Sequence, residues 1–408
     1  MIILSMGTMI SQLFLVLITP IVTRIYKPEE LGAFTLIITI VTIFSSVING
    51  RYDISIVSAN NENEADAIAV VGILNSIVIS FIICCGLSIY NIFYPETFSS
   101  IGGWVYITIL MLLIIGFTNI LTSFNNRYKQ YKLMASVNII RSNSQAITQI
   151  VFGLLNFGVL GLIFSQLLSL ILAIKKQLNH IKSDINRFKT IKFSIVLDAF
   201  IKYKNQLIYS TPALLINSLS YSILIFFISA LYGVKEVGYY SISFRMLGMP
   251  LSLVSANVAK VFFEKASVEK KETGNFYNTF KKTSLLLLVI SLPFFGLLMI
   301  ISEPLFELVF GFGWGRAGLF VAILSPMFAI RFIVSPLSLS LVIAKKQRVE
   351  LLLQVGFLIE ALCAFFISKV MGLELEYFLL IISGLFMVNY FLMYLVMLKA
   401  SKENSLFS

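Results

Sequence analysis

Charge is scarce in this chain. Of 408 residues only 12% are charged and 58% are hydrophobic, against about 25% charged in an ordinary soluble domain. The mean hydropathy is +0.92. A bilayer core needs about 20 consecutive apolar residues per helical crossing, and such runs recur along the whole sequence. They are continuous rather than alternating, which excludes a β-barrel. Cysteine and histidine are nearly absent. Cys84, Cys85 and Cys363 all fall inside apolar runs, so neither a disulfide framework nor a metal spacing exists. The one histidine, His180, stands in a basic stretch where a solvated or headgroup-facing role outweighs catalysis. The glycine-rich run GFGWGRAG (311–318) lacks the Gly-Lys-Ser/Thr ending of a phosphate loop. No paired carboxylates stand on a large external loop, which leaves a membrane polymerase or glycosyltransferase no place for acid/base chemistry. No metal, cofactor or enzymatic activity is expected.

What is present is a series of about twelve apolar spans, near 2–22, 32–50, 67–90, 104–124, 135–155, 158–176, 207–230, 238–260, 283–302, 317–343, 350–370 and 376–398. The tightest turn, between spans five and six, is NFGV at 156–159. The opening MIILSMGTMISQ has no basic n-region and leads into a long apolar run. It reads as a retained first span rather than a cleaved signal.

The net charge of +11 is mainly a topology signal. With both termini in the cytosol, the inside segments collect about 23 Lys and Arg and the outside segments about 5. Basic loops beside spans contact anionic lipid headgroups, so nucleic acid is not needed to explain them. One connection is long, and the expected organisation follows from it. Residues 1–176 form a six-helix lobe, 177–206 a basic cytosolic linker, 207–398 a second six-helix lobe and 399–408 a tail.

The two halves echo each other. IYKPEELGAF aligns with LYGVKEVGYY, pairing Tyr26 with Tyr232, Glu30 with Glu236 and Gly32 with Gly238. Six spans return the chain to its starting side, so the halves are parallel repeats, an arrangement suited to alternating access around a central cleft.

Polar residues recur at helical spacing within spans. Gln12 lies in span one, Gln145 in span five and Asn217 in span seven. Such stripes serve either as interhelical glue or as the lining of a cavity. Three arginines, Arg141, Arg245 and Arg331, also lie within spans. Each costs about 2.5–3.5 kcal/mol at a helix centre on insertion scales, and intramembrane charges as a rule mark a substrate path. Arg141 and Arg245 are close enough to span ends to snorkel to the headgroups; Arg331 is central. Glu360, the one comparably central acid, is either the counter-ion of Arg331 or a site for a coupling ion, H+ or Na+. Fixed cations with few acids predict an anionic substrate, since a guanidinium grips phosphate oxygens in pairs.

The run GTMISQLFLVLITPIVTRIYKPEELGAFTLIITIVTIFSSVINGRYDISI (7–56) resembles the opening of the oligosaccharide flippases of the polysaccharide biosynthesis family, the Wzx type. The marks are Thr-Arg-x-Tyr-x-Pro-x-x-x-Gly at 23–32 and Arg-Tyr-acid at 51–53. Span eight, with Arg245 and Pro250, and the segment with Trp314, Pro326 and Pro336 are similar to the family as well. Asp53 stands where Glu is commoner. The resemblance implies an all-α polytopic fold of two six-helix lobes, like that of multidrug and toxic-compound extruders. It implies flipping of a polyprenyl-pyrophosphate-linked oligosaccharide across a bacterial cytoplasmic membrane, with a polysaccharide polymerase and chain-length proteins as candidate partners. Arg24, Arg51 and Asp53 match family marks at span ends, where they are candidates for gates or lobe anchors. The rival readings are an exporter of amphipathic small molecules, a sugar polymerase, and a non-transporting component of a polysaccharide assembly complex.

Overall fold

The computed structural model describes residues 2–93, 102–181, 193–344 and 346–403, and these form helices with no strand among them. The central part of the expected linker (182–192), Lys345 and the tail 404–408 lie outside the described residues, as do the side chains of His180, Asn217 and Tyr221. The chain divides into two compact units, Met1–Ser222 and Ile223–Ser408.

The first unit runs through α1 (Ile2–Ile25), α2 (Pro28–Ser45), the short α3 (Tyr52–Ser58), α4 (Glu62–Phe93), α5 (Ile107–Arg127), α6 (Tyr131–Leu154), α7 (Gly158–Ile181) and α8 (Phe193–Asn205). It ends inside α9 (Thr211–Tyr232). The second unit continues with α10 (Val234–Thr273), α11 (Tyr277–Phe310), α12 (Gly315–Leu337), α13 (Leu339–Ile343), α14 (Gln347–Met371) and α15 (Leu375–Lys402).

Nine helices among the described residues are long and apolar enough to cross a bilayer, and ten if the bent segment through α8 and α9 is one span. The protein is a multi-pass membrane protein. The count of twelve is not reached by that measure. Asn138, Arg141, Asn143, Gln145 and Gln149 make α6 too polar, and in α1 the stretch counted among the described residues is Met9–Ile25.

Local chemistry sets several boundaries. Pro28 opens α2, where a missing N–H costs nothing. The Glu30 carboxylate accepts the Lys27 backbone N–H at 2.8 Å. The expected turn between α6 and α7 is made by Asn156 and Gly158, both with φ 57°, a conformation that Gly and Asn adopt at least cost. Two segments differ from the sequence expectation. Span ten breaks at Ser338, just past Pro336, into α12 and α13. The linker also contains a helix, α8. Its Val196 and Ala199 are buried with Tyr52, Ile56 and Ile68 in the core, and Tyr203 and Leu207 pack against the same cluster. That spacing is helical; the lysines around it drew attention to charge and hid it.

Candidate functional site

In the first unit the candidate side chains gather along the seam of α1 and α6. The two helices run parallel and approach closely at both ends. A Cβ on Gly7 would meet the Ala135 Cβ at 2.7 Å, and one on Gly153 would strike Ile25 and Tyr26. Tyr26 locks the far end by donating to the Gln149 carbonyl at 2.8 Å. Burial, with Glu30 nearby, pushes that phenol up to about 12, so it stays protonated and remains a donor. This register puts Gln12, exposed on α1, level with the stretch of α6 that carries Arg141. Arg141 and Gln145 are half-buried one turn apart on α6.

Most hydroxyls of the polar stripes satisfy themselves. Thr35, Thr39 and Thr42 each donate at 2.7 Å to the carbonyl four residues back, a local bond that needs no neighbouring helix. Asn49 instead reaches neighbouring helices, and it is glue. Its amide reaches the Ser76 hydroxyl at 2.9 Å and the Gly116 carbonyl at 3.0 Å, and its carbonyl accepts from Asn119 at 3.1 Å. Gly116 is required there, since a Cβ would meet the Ser76 hydroxyl at 2.6 Å.

The family marks at span ends occupy different surroundings. Arg24 is exposed in the last turn of α1. Arg51 precedes α3 in the left-handed region, φ 64°, and its Nε is buried without a hydrogen bond. Asp53, two residues on, is half-buried. Burial pushes its carboxyl up, against the pull of Arg51 and of the backbone N–H groups of Ile54 and Asp53. The sequence reading missed Arg127, which it counted only as a topology charge. This arginine donates to the carbonyls of Ile56 and Ala59 at 3.0 and 2.7 Å and to Glu62 at 3.2 Å, tying α3 and α4 to α5. The one signal in the sequence was an arginine closing a span beside an acidic helix start.

In the second unit α10 and α12 are joined by the Ser243 hydroxyl, which donates to the Ala317 carbonyl at 2.7 Å, and by Ser255 and Ser335 at 3.2 Å. Arg331, half-buried on α12, lies over the rings of Phe244 and Phe328 at 5.7 and 5.3 Å. Arg245 is the residue next to Phe244, exposed on α10. The fold thus brings Arg245 and Arg331 to one helix pair, with aromatic faces that hold a guanidinium by cation–π attraction. Glu360 lies apart on α14. Its Oε2 is buried without a hydrogen bond, and the side chain of Asn389 on α15 stands against the carboxyl. Asn389 in turn donates to the Leu353 carbonyl at 3.1 Å, in space left by Gly356. Asn217 belongs to α9 in the first unit. Among the described residues no group of His, Cys, Asp and Glu is arranged to hold a metal.

The fold has solved counterparts. An inward-facing multidrug resistance MATE family transporter of the MOP superfamily matches with TM-score 0.63 and 18% identity, over 98% of this chain and 95% of its own. A MOP superfamily transporter from Pyrococcus furiosus, described as having a binding pocket of reverse polarity, matches with TM-score 0.63 and 17% identity over 99% and 96%. The lipid II flippase MurJ in an inward closed conformation matches with TM-score 0.71 and 16% identity over 99% and 88%. At these identities the likeness is one of fold. No curated protein sequence matches the chain. Residues 21–318 match the family described as polysaccharide biosynthesis protein, and with most of its length inside that match this chain belongs to the polysaccharide biosynthesis protein family.

Proposed function

We propose that the protein flips a polyprenyl-pyrophosphate-linked oligosaccharide across the bacterial cytoplasmic membrane by alternating access, for synthesis of a surface polysaccharide. The observation that carries the reading is the set of arginines placed within long helices of a polysaccharide biosynthesis protein: Arg141 on α6, Arg245 on α10 and Arg331 on α12. A guanidinium at such depth is costly unless it has an anionic or aromatic partner. Pyrophosphate offers oxygens in the paired geometry that a guanidinium fork accepts. In this reading the arginines attract the headgroup while the prenyl tail stays in lipid. Gln12, Gln145 and Asn217 offer hydrogen bonds to sugar hydroxyls. A coupling ion or consumption of the product outside gives the process its direction. The likeness in fold to the lipid II flippase supports moving a lipid-linked sugar.

A second reading, export of amphipathic small molecules, is favoured by the likeness in fold to the multidrug transporter and by the acid Glu360 inside α14.

Vesicles reconstituted with the purified protein separate the two. A fluorescent polyprenyl-pyrophosphate oligosaccharide is placed in one leaflet and its arrival in the other is followed. Wild type should flip it. Arg141→Ala, Arg245→Ala or Arg331→Ala, shown to be folded, should slow it at least about tenfold in one or more cases, the loss expected for one charge-assisted contact. Folded wild type that does not flip the lipid, yet moves amphipathic cations, would replace the first reading with the second.

A further inference from the structure

We propose that the cleft between α10 and α11 is a binding site for the phosphate headgroup of an anionic membrane phospholipid. The inference rests on the multi-pass membrane placement and not on the flipping reading. The cleft has a volume of about 520 Å³. In chain order along the two helices its lining runs from Lys265 and Thr279 past Lys282 and Thr283 to the apolar Val261 and Leu286, with Asn257 at that end. That order of cation, hydroxyl and hydrocarbon matches a lipid with an anionic head and an acyl tail.

The two lysines differ from the cations of the molecule that are already paired. Arg127, Lys202, Arg316 and Lys346 each pair with a carboxylate. Among the described residues Lys265 and Lys282 make no ion pair, and no carboxylate lines the cleft. Glu269, one turn beyond Lys265 on α10, is already engaged: its two oxygens accept the backbone N–H groups of Asn278 and Thr279 at 3.1 and 2.8 Å. That contact is an N-terminal cap for α11, and it engages the carboxylate one turn from Lys265.

The cleft is also held in shape before anything binds. Gly274 turns the hairpin in the left-handed region, φ 80°. Phe276 N–H bonds the Ser401 carbonyl at 3.1 Å. Beneath the cleft Phe262 and Phe280 are fully buried and meet edge to face at 6.4 Å. A site that needs no rearrangement loses little affinity to ordering. The hairpin belongs to the side that the distribution of Lys and Arg assigns to the cytosol, where anionic lipids concentrate and each lysine contributes about 1 kcal/mol of attraction.

Native mass spectrometry of the full chain in detergent tests this with phosphatidylglycerol, phosphatidylcholine, undecaprenyl phosphate and inorganic phosphate as probes. Wild type should bind phosphatidylglycerol in preference to the others. The double variant Lys265→Gln/Lys282→Gln should lose about thirtyfold in affinity, while Lys175→Gln/Lys176→Gln, which removes the same charge on α7, should lose little. Amine-reactive footprinting of wild type gives a second readout that needs no variant: phosphatidylglycerol should protect Lys265 and Lys282. Equal losses in the two double variants, absence of protection, or preferential binding of phosphatidylcholine, undecaprenyl phosphate or inorganic phosphate would each overturn the proposal.

Discussion

The Arg316 Nε donates to Glu236 Oε2 at 2.8 Å, and its Nη1 reaches Glu376 at 3.1 Å. One guanidinium at the start of α12 therefore ties together the starts of α10 and α15. Glu236 occupies the position that Glu30 holds in the first half. Glu30 instead accepts the backbone N–H of Lys27. The echoed loop keeps its carboxylate and gives it a different partner in each half.

Arg316 is substantially exposed, so solvent screens the pair. Arg316→Ala should lower stability by about 0.5–1 kcal/mol. Thermal unfolding in detergent should show the difference at low salt and lose most of it in high salt.

Asn49→Ala should cost more, about 1–2 kcal/mol, because it strips several interhelical hydrogen bonds from a buried site. Asn49→Ser should recover little, since a single hydroxyl cannot span Ser76, Gly116 and Asn119. Melting temperatures of the two variants check this order.

Gly318→Ala should be among the most damaging small changes in the second unit. The new Cβ would meet the Ser302 carbonyl oxygen at 2.5 Å and the Glu303 Cα at 2.6 Å. Both are backbone, so α11 and α12 must separate, and overpacking of that kind costs about 1–3 kcal/mol. It would also break the 2.8 Å bond from the Ser302 hydroxyl to the Gly318 carbonyl. Retention of the wild-type melting temperature in this variant would refute the tight crossing.

Asp53 gives a pH signature. Its folded-state pKa is raised above the unfolded value, so the folded protein holds this proton more tightly. Stability from this group is then greatest below the unfolded pKa, about 3.9, and falls as pH rises through the folded pKa. Asp53→Asn should therefore stabilise at neutral pH and give no advantage below about pH 4. Melting curves of the two proteins across pH should converge on the acid side.

For Glu360 the prediction concerns coupling. Under the flipping reading, Glu360→Gln should keep basal flipping in vesicles but lose its response to an imposed proton gradient. Asn389→Leu should weaken that response as well, because Asn389 stands against the carboxyl. A gradient response left intact in a folded Glu360→Gln protein would assign Glu360 a structural role.

Hydrophobicity and charge placement belong to each segment alone. The sequence by itself therefore determined that this chain is helical and multi-pass, with a tight turn at Asn156 and Gly158. Family membership was likewise legible, in the marks from Thr23 to Asp53. Long-range partners were not. Nothing in the spacing of Asn49 points to Ser76, Gly116 and Asn119, and nothing in Arg331 announces the rings of Phe244 and Phe328. α8 was hidden because a helix that buries only Val196 and Ala199 on one side carries too weak an apolar stripe to stand out among lysines. Whether a hydroxyl in a span bonds its own turn, as Thr39 does, or a neighbouring helix, as Ser302 does, was decided only by tertiary packing. The same side chain can reach both acceptors, and the distance to the next backbone selects between them.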